Sequence, residues 1–387
     1  MKLKKSYFFN LLAFLIAYEF LLPTSTLNSP WFKGPHFEPS FFMTRMTIIK
    51  GFFLKDLLSI ILIISYIGSK IKIKWNKNLK LITFTYTCLF LYGIFIAVIT
   101  NNSYDIFENI RLAIICLTII LLTTQNNDEI IKWFSLGLIL SGSLNLYISW
   151  KYNIFGLDYI FFLVNQNGPG PIAALLLLLL PWNYKNRVVV ITTRIVLFLI
   201  AILSLSKIAY LILFILAMSI FVSNIKKIKF VLLSFILFSI TISYGVFDEI
   251  IKNKFPNGFE LIEGAGGDQV RLDYYSSVFE ILLENPLGVS YSGYYYALLK
   301  TDIYEEGRMI EESKERANPH STQLYYISSH GFFGLLLMIN FFFLLFLFNI
   351  NLKFIFIIGS LLIYASTVPY LFVTYFFFLP FTVLNKK

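Results

Sequence analysis

The chain has 387 residues, of which 57% are apolar and only 14% charged, with 42 Phe, 24 Tyr and a formal net charge of +10. Soluble domains run nearer half apolar and a quarter charged, so a water-soluble fold of this size could not hide so much apolar surface. Composition therefore excludes a soluble enzyme and points to an all-α polytopic membrane protein, while Cys88 and Cys116, both inside apolar runs, exclude a disulfide framework and a Cys-rich zinc site.

About 20 mostly apolar residues carry a helix across the hydrocarbon. Twelve runs qualify, near 6–24, 52–69, 81–99, 109–125, 134–150, 162–182, 188–205, 208–223, 230–247, 322–349, 354–370 and 371–384. The first follows a basic start without a small-residue cleavage site and reads as an uncleaved signal anchor. An even number of spans puts both termini on one side. That side collects the basic tails, the Lys70–Lys80 run, Lys132, Lys185, Arg187, Arg194, Lys226, Lys227, Lys229 and Lys353, which make 18 of the 32 Lys and Arg residues. Such clustering in short loops is the positive-inside pattern, so the termini are expected to be cytoplasmic. Topology accounts for the basic excess, and nucleic acid is discarded as a partner.

Residues 248–321 depart from this pattern. On the expected outer side, they hold fourteen of the 22 acidic residues and seven basic ones. The chain thus divides into nine spans over 1–247, a large external loop over 248–321 and three spans over 322–387. No internal repeat is visible.

Candidate residues follow in chain order. Arg111 opens the fourth span on the outer side, as an anion contact or a span-end cation. Asn165-Gln-Asn167-Gly-Pro-Gly-Pro precedes the apolar core of the sixth. Such a Gly/Pro-broken helix start can line a cavity or be a simple turn. Lys207, after Ser204 and Ser206, lies at the outer turn between spans seven and eight. There it would hold an anion or merely snorkel. In the loop, Gly266-Gly-Asp268 predicts a helix start, with an apolar stripe of Val270, Tyr274, Val278 and Ile281 and a stop at Asn285-Pro286. Arg271 falls in its first turn. A guanidinium beside free helix N–H groups suits an anion, the alternative being a surface ion pair with Asp273. Asn318-Pro319 predicts the start of the tenth span, placing His320 in its first turn as either a neutral general base or a structural cap. His330, in Ser328-Ser-His-Gly, is read as a neutral imidazole bonded to a neighbouring helix. His36 carries no mark.

Arg111, Asn165, Lys207, Arg271 and His320 all fall outside under one topology. Nucleotide donors are confined to the cytoplasm. A reaction at that surface needs a substrate already activated, and a lipid diphosphate is the natural anionic carrier. Cations would stabilise the departing diphosphate and a base would deprotonate the acceptor hydroxyl.

The order Ser206-Lys207-Ile-Ala, then Val270-Arg271-Leu with Asn285-Pro-Leu-Gly288, then Pro319-His320-Ser-Thr-Gln-Leu and His330-Gly331-Phe-Phe-Gly334 resembles the O-antigen ligase and polymerase superfamily, chiefly over 160–345. The resemblance implies a GT-C-like fold of about a dozen spans in the bacterial inner membrane with a periplasmic active site. It implies metal- and cofactor-independent, inverting glycosyl transfer from an undecaprenyl diphosphate-linked oligosaccharide. It also assigns Arg271 to the diphosphate and His320 to the acceptor. Lys207 stands where the family usually has arginine, keeping the charge but losing the bidentate fork. Expected partners are the lipid-linked oligosaccharide and membrane lipids, with a chain-length regulator as an optional addition. The polymerase accepts a lipid-linked repeat and the ligase lipid A–core, and spacing does not separate them. The Phe/Ile/Tyr/Asn-rich character favours polymerase. A flippase, which would have no need of the 248–321 loop, and a structural assembly partner are the competing readings.

Overall fold

The computed structural model describes residues 5–21, 47–49, 52–68, 77–123, 127–151, 169–180, 186–204, 206–222, 268–301 and 321–348, with isolated positions at 357, 359 and 360. Among the described residues the architecture is all-α apart from one short antiparallel hairpin, β1 (Thr47–Ile49) with β2 (Phe52–Phe53), in which Thr47 pairs with Phe53. That hairpin was not expected from the sequence. The helices are α1 (Lys5–Phe20), α2 (Leu54–Gly68), α3 (Lys77–Ile99), α4 (Ser103–Thr123), α5 (Asn127–Lys151), α6 (Pro169–Leu179), α7 (Arg187–Leu203), α8 (Lys207–Val222), α9 (Asp268–Glu284), α10 (Gly293–Leu298) and α11 (Thr322–Phe348).

Nine of the twelve expected spans meet a helix, and the run 230–247 lies outside the described residues. The runs 354–370 and 371–384 also fall outside, save for the isolated positions. Among the described residues, one helix segment, Asp128–Tyr147 in α5, is both long and apolar enough to cross a bilayer. Shorter apolar segments lie at Tyr7–Tyr18, Asp56–Ile67, Thr83–Ile99 and Ile208–Ser219.

The faces of α7 show why these helices do not suit water. Val190, Thr193, Val196, Leu197, Ile200 and Ala201 are buried at helical spacing. Yet Val188, Ile191, Ile195, Phe198 and Leu199 on the other side are exposed. A helix apolar all round belongs in a large core or in lipid. Ile64, Ile67, Phe84, Leu91 and Leu336 continue this exposed apolar surface on α2, α3 and α11. Polar side chains inside the runs turn back on their own helix. Thr85 donates to the Leu81 carbonyl at 3.1 Å, Thr118 to Ile114 at 2.9 Å, Ser141 to Gly137 at 3.0 Å and Thr193 to Val189 at 2.7 Å.

Two packed groups result. In one, α1 lies along α5, α5 along α7, and α6 against both α7 and α8. In the other, α2 meets α4, α4 meets α3, and α3 meets α11, on which α9 and α10 rest. Contact between α1 and α2 joins them. Helix ends are closed across elements. Asn145 of α5 donates to the Leu21 carbonyl beyond α1 at 3.0 Å, and Arg194 of α7 to the Leu180 carbonyl beyond α6 at 3.2 Å. A cation there also suits the negative end of the helix dipole. Asn340 of α11 donates to Thr85 of α3 at 3.1 Å, tying together the two helices that carry the site below.

Candidate functional site: a loop threaded into a broken helix

Helix α11 is not continuous. Gly331 has φ 61° and ψ −156°, so the helix breaks there and resumes in a new direction. A break strands backbone groups, because the Ser328 and Ser329 carbonyls lose their helical donors. The segment after α9 supplies replacements. Val289 N–H donates to the Ser328 carbonyl and Ser290 N–H to the Ser329 carbonyl, both at 3.0 Å. In return Phe332 N–H donates to the Pro286 carbonyl at 3.0 Å. Tyr92 of α3 adds a bond from its hydroxyl to the Leu287 carbonyl at 2.9 Å.

Such close backbone approach requires glycine on both sides. A Cβ on Gly288 (φ 99°) would lie 2.7 Å from Gly331 N. One on Gly331 would lie 2.7 Å from Gly288 N and strike the Pro286 carbonyl oxygen. The two stretches that carried the resemblance, Asn285–Gly288 and His330–Gly334, are therefore one interlocked unit.

His330 sits at this junction and is buried. Its Nδ1 lies 2.8 Å from Ser329 Oγ, and Nε2 has no partner among the described residues. The ring packs against Tyr291 and Tyr326, centroids 5.2 Å away in each case, and against Tyr92 at 6.3 Å. The sequence led us to expect a hydrogen bond from His330 to a neighbouring helix. The structure corrects this: the bond is to the adjacent residue, and the ring's other neighbours are aromatic rings of its own helix, of the loop after α9 and of α3. Nε2 points instead toward Gly93 of α3, where a Cβ would stand 2.8 Å from it and collide with Asn109.

A second polar group lies beside the first. The turn between α3 and α4 presents Asn102 and Asp105. The buried Asp105 carboxylate accepts from the Ser290 hydroxyl, from Ser292 N–H at 3.0 Å and from the Ser292 hydroxyl at 2.9 Å. Asn102 Nδ2 donates to the Ser292 hydroxyl as well, and its Oδ1 accepts from Asp105 N–H at 3.3 Å. Asn109 donates to the Asp105 carbonyl at 2.8 Å and accepts from the Tyr291 hydroxyl at 3.4 Å. Burial pushes the Asp105 carboxyl above its usual range, against the lowering effect of the Ser292 hydrogen bonds. Burial also pushes the Tyr291 phenol well up, with Tyr326 next in effect. None of Asp105, Asn109, Ser290 and Ser292 was singled out by the sequence reading. The only local signal is the density of Asn, Ser and Asp over 101–109.

The residues expected to form the site are placed as follows. Arg111 lies within α4, two turns past its start at Ser103, and pairs with Glu108 at 3.2 Å. Burial raises the Glu108 carboxyl and Arg111 lowers it. Lys207 is the first residue of α8. Beside it Ser204 donates to the Ala201 carbonyl at 2.9 Å, and Ser206 Oγ accepts from Ala209 N–H at 3.5 Å, so both hydroxyls close helix ends. Arg271 is in the first turn of α9, which runs Asp268–Glu284 and stops before Asn285-Pro286, as expected. Of its expected stripe, Val278 and Ile281 are buried, joined by Ser277 and Leu282. Asn165, Asn167 and His320 lie outside the described residues. Helix α11 begins at Thr322, and Ser321 caps it by accepting from Leu324 N–H at 3.4 Å.

The model of the O-antigen ligase family matches residues 192–339, which include Lys207, all of α9, the interlock and His320. No curated protein and no solved structure matches the chain. The family's members are membrane proteins, glycosyltransferase-like enzymes of lipopolysaccharide and polysaccharide biosynthesis. Over residues 192–339 the chain is similar to the O-antigen ligase family, consistent with the O-antigen polymerase and ligase superfamily.

Proposed function

We propose that the protein is a surface-polysaccharide polymerase working at the outer face of the bacterial inner membrane. It transfers a growing glycan from a polyprenyl diphosphate carrier, taken to be undecaprenyl diphosphate, to a sugar hydroxyl on a lipid-linked repeat. The observation that carries this reading is the family match over the segment in which Asn285–Gly288 and His330–Gly334 lock together. The turn holding Asp105 and the loop after α9 meet at one end of the helices, in agreement with the topology that puts both outside.

In this reading the acceptor oxygen attacks the anomeric carbon from the face opposite the leaving group, and the bond to the diphosphate oxygen breaks with inversion. The diphosphate leaves with the electron pair, its charge met by the Arg271 guanidinium in the first turn of α9. The acceptor proton passes to the His320 imidazole. Lys207 and Arg111 supply further positive charge, and Asn165 and Asn167 sugar contacts.

Deleting the protein and resolving the lipopolysaccharide on a gel tests the reading. A single repeat on core is the expected result. Bare core, with polymer accumulating on the lipid carrier, would instead establish a ligase, the activity for which the matched family is named. Unchanged long-chain polysaccharide would overturn both.

A further inference from the structure

The α3–α4 turn grips the external loop far more firmly than chain connectivity requires. One buried carboxylate takes three hydrogen bonds from Ser290 and Ser292, and Asn102 adds a fourth contact to the same loop. Ser290 is held at φ 68°, a left-handed conformation that a non-glycine residue keeps only where its surroundings over-determine it. Here Ser290 N–H is fixed by the Ser329 carbonyl while its hydroxyl is fixed by Asp105. Asp105 Oδ1 has no partner among the described residues, and its carboxylate forms no ion pair with any of them. A carboxylate kept at such cost is a poor choice for simple packing.

The position of the grip gives it leverage. Ser290 lies six residues past the end of α9, and Arg271 stands thirteen residues before that end. At helical rise the arm is about 20 Å, so a 5° tilt at the clasp moves the Arg271 backbone by about 1.7 Å. Misplacement of a reacting group by about 1 Å can cost on the order of a hundredfold in rate. We infer that Asp105 is a positioning residue of the transfer site: by clasping Ser290 and Ser292 it sets the angle of α9, and with it Arg271, over the membrane domain. This rests on the proposed transfer reaction.

The test uses full-length protein in lipid nanodiscs with a polyprenyl diphosphate-linked saccharide as donor. Turnover is measured alongside hydrogen exchange, for wild type, Asp105→Ala, Asp105→Asn and Arg271→Ala. Asp105→Ala should lose about tenfold or more in kcat with donor KM changed by less than about threefold. Amides 286–301 should exchange faster while α5 is unaffected. Asp105→Asn keeps an acceptor for the two serines and should recover kcat to within about threefold of wild type. Wild-type kcat in Asp105→Ala overturns the inference. So does a loss of kcat that accompanies faster exchange throughout the protein and is not restored by asparagine. If wild type transfers nothing, or Arg271→Ala transfers normally, the proposed reaction itself fails. Exchange then decides for the clasp alone, and unchanged protection of 286–301 in Asp105→Ala overturns it.

Discussion

Replacing Gly331 with alanine should open the junction between the loop after α9 and α11. At φ 61° and ψ −156° the residue occupies a region open essentially to glycine alone, and forcing an L-residue there costs about 1–3 kcal/mol. The added methyl would also strike the Pro286 carbonyl oxygen and come within 2.7 Å of Gly288 N, so the loop must move. Movement surrenders the three backbone bonds from Val289, Ser290 and Phe332, each contributing about 0.5–1.5 kcal/mol net. Partial relaxation puts the total near the lower end of these figures, about 3 kcal/mol. A local opening made easier by that amount raises exchange of the three amides by about a hundredfold. Gly293→Ala is the matched control, because its methyl would meet only Val289 Cβ at 3.4 Å and Cγ2 at 3.8 Å. That variant should stay within about 0.5 kcal/mol of wild type. Exchange in Gly331→Ala within about threefold of wild type would refute the reasoning, since the added methyl meets the Pro286 carbonyl and the Gly288 amide of the same loop.

Stability should also depend on pH through Asp105. Burial raises its carboxyl above the ordinary value, so the folded protein holds the proton more tightly than the unfolded chain. Its contribution is complete below the ordinary carboxylate pKa and is lost as pH rises through the raised native value. The melting temperature should therefore decline across that window, less steeply in Asp105→Asn, and superimposable profiles would contradict this. Arg111→Ala strands the half-buried Glu108 carboxylate and should cost about 2 kcal/mol, between the values for exposed and buried pairs, as read by denaturant unfolding in detergent. His320→Ala and Arg271→Ala should each abolish glycan transfer while expression and membrane insertion persist. Long-chain polysaccharide from either variant would count against the proposed roles.

The sequence speaks most clearly where local chemistry decides the structure. Gly266-Gly-Asp268 and Asn285-Pro286 bracket α9 because N-caps and prolines act within a few residues of themselves. Lys207, after a Ser-Leu-Ser turn, marks the start of α8 for the same reason. The tenth span's start near 322 is matched by α11, which begins at Thr322 with Ser321 Oγ accepting from Leu324 N–H, a local capping bond. The break at Gly331 is hidden in a run apolar on both sides, because its cause is a loop more than forty residues earlier. Asp105 is harder still to find, since its partner Ser290 is 185 positions away and neither residue belongs to a periodic pattern. What the sequence does offer is a His-Gly pair inside a span and a turn dense in Asn, Ser and Asp, which mark where regular structure yields without saying to what.

The interlock also explains how an interrupted helix can persist inside an apolar surround. Unpaired backbone groups are costly in hydrocarbon, and irregular backbone survives there only where protein covers it. Here the covering protein is the loop after α9, whose Val289 and Ser290 amides take the carbonyls that the break releases, while Pro286 accepts the amide left beyond it. Pro286 has no N–H of its own to satisfy, and Gly288 has no side chain to exclude the approaching helix. Each motif therefore needs the other: Asn285–Gly288 without the break would clash with a continuous helix, and the break without Asn285–Gly288 would leave α11 with orphaned polar groups. It follows that the loop and the helix are one folding unit. A substitution that straightens α11, such as one favouring a regular helix at 331, should dislodge the loop and with it α9, even though it lies nowhere near Arg271 in sequence.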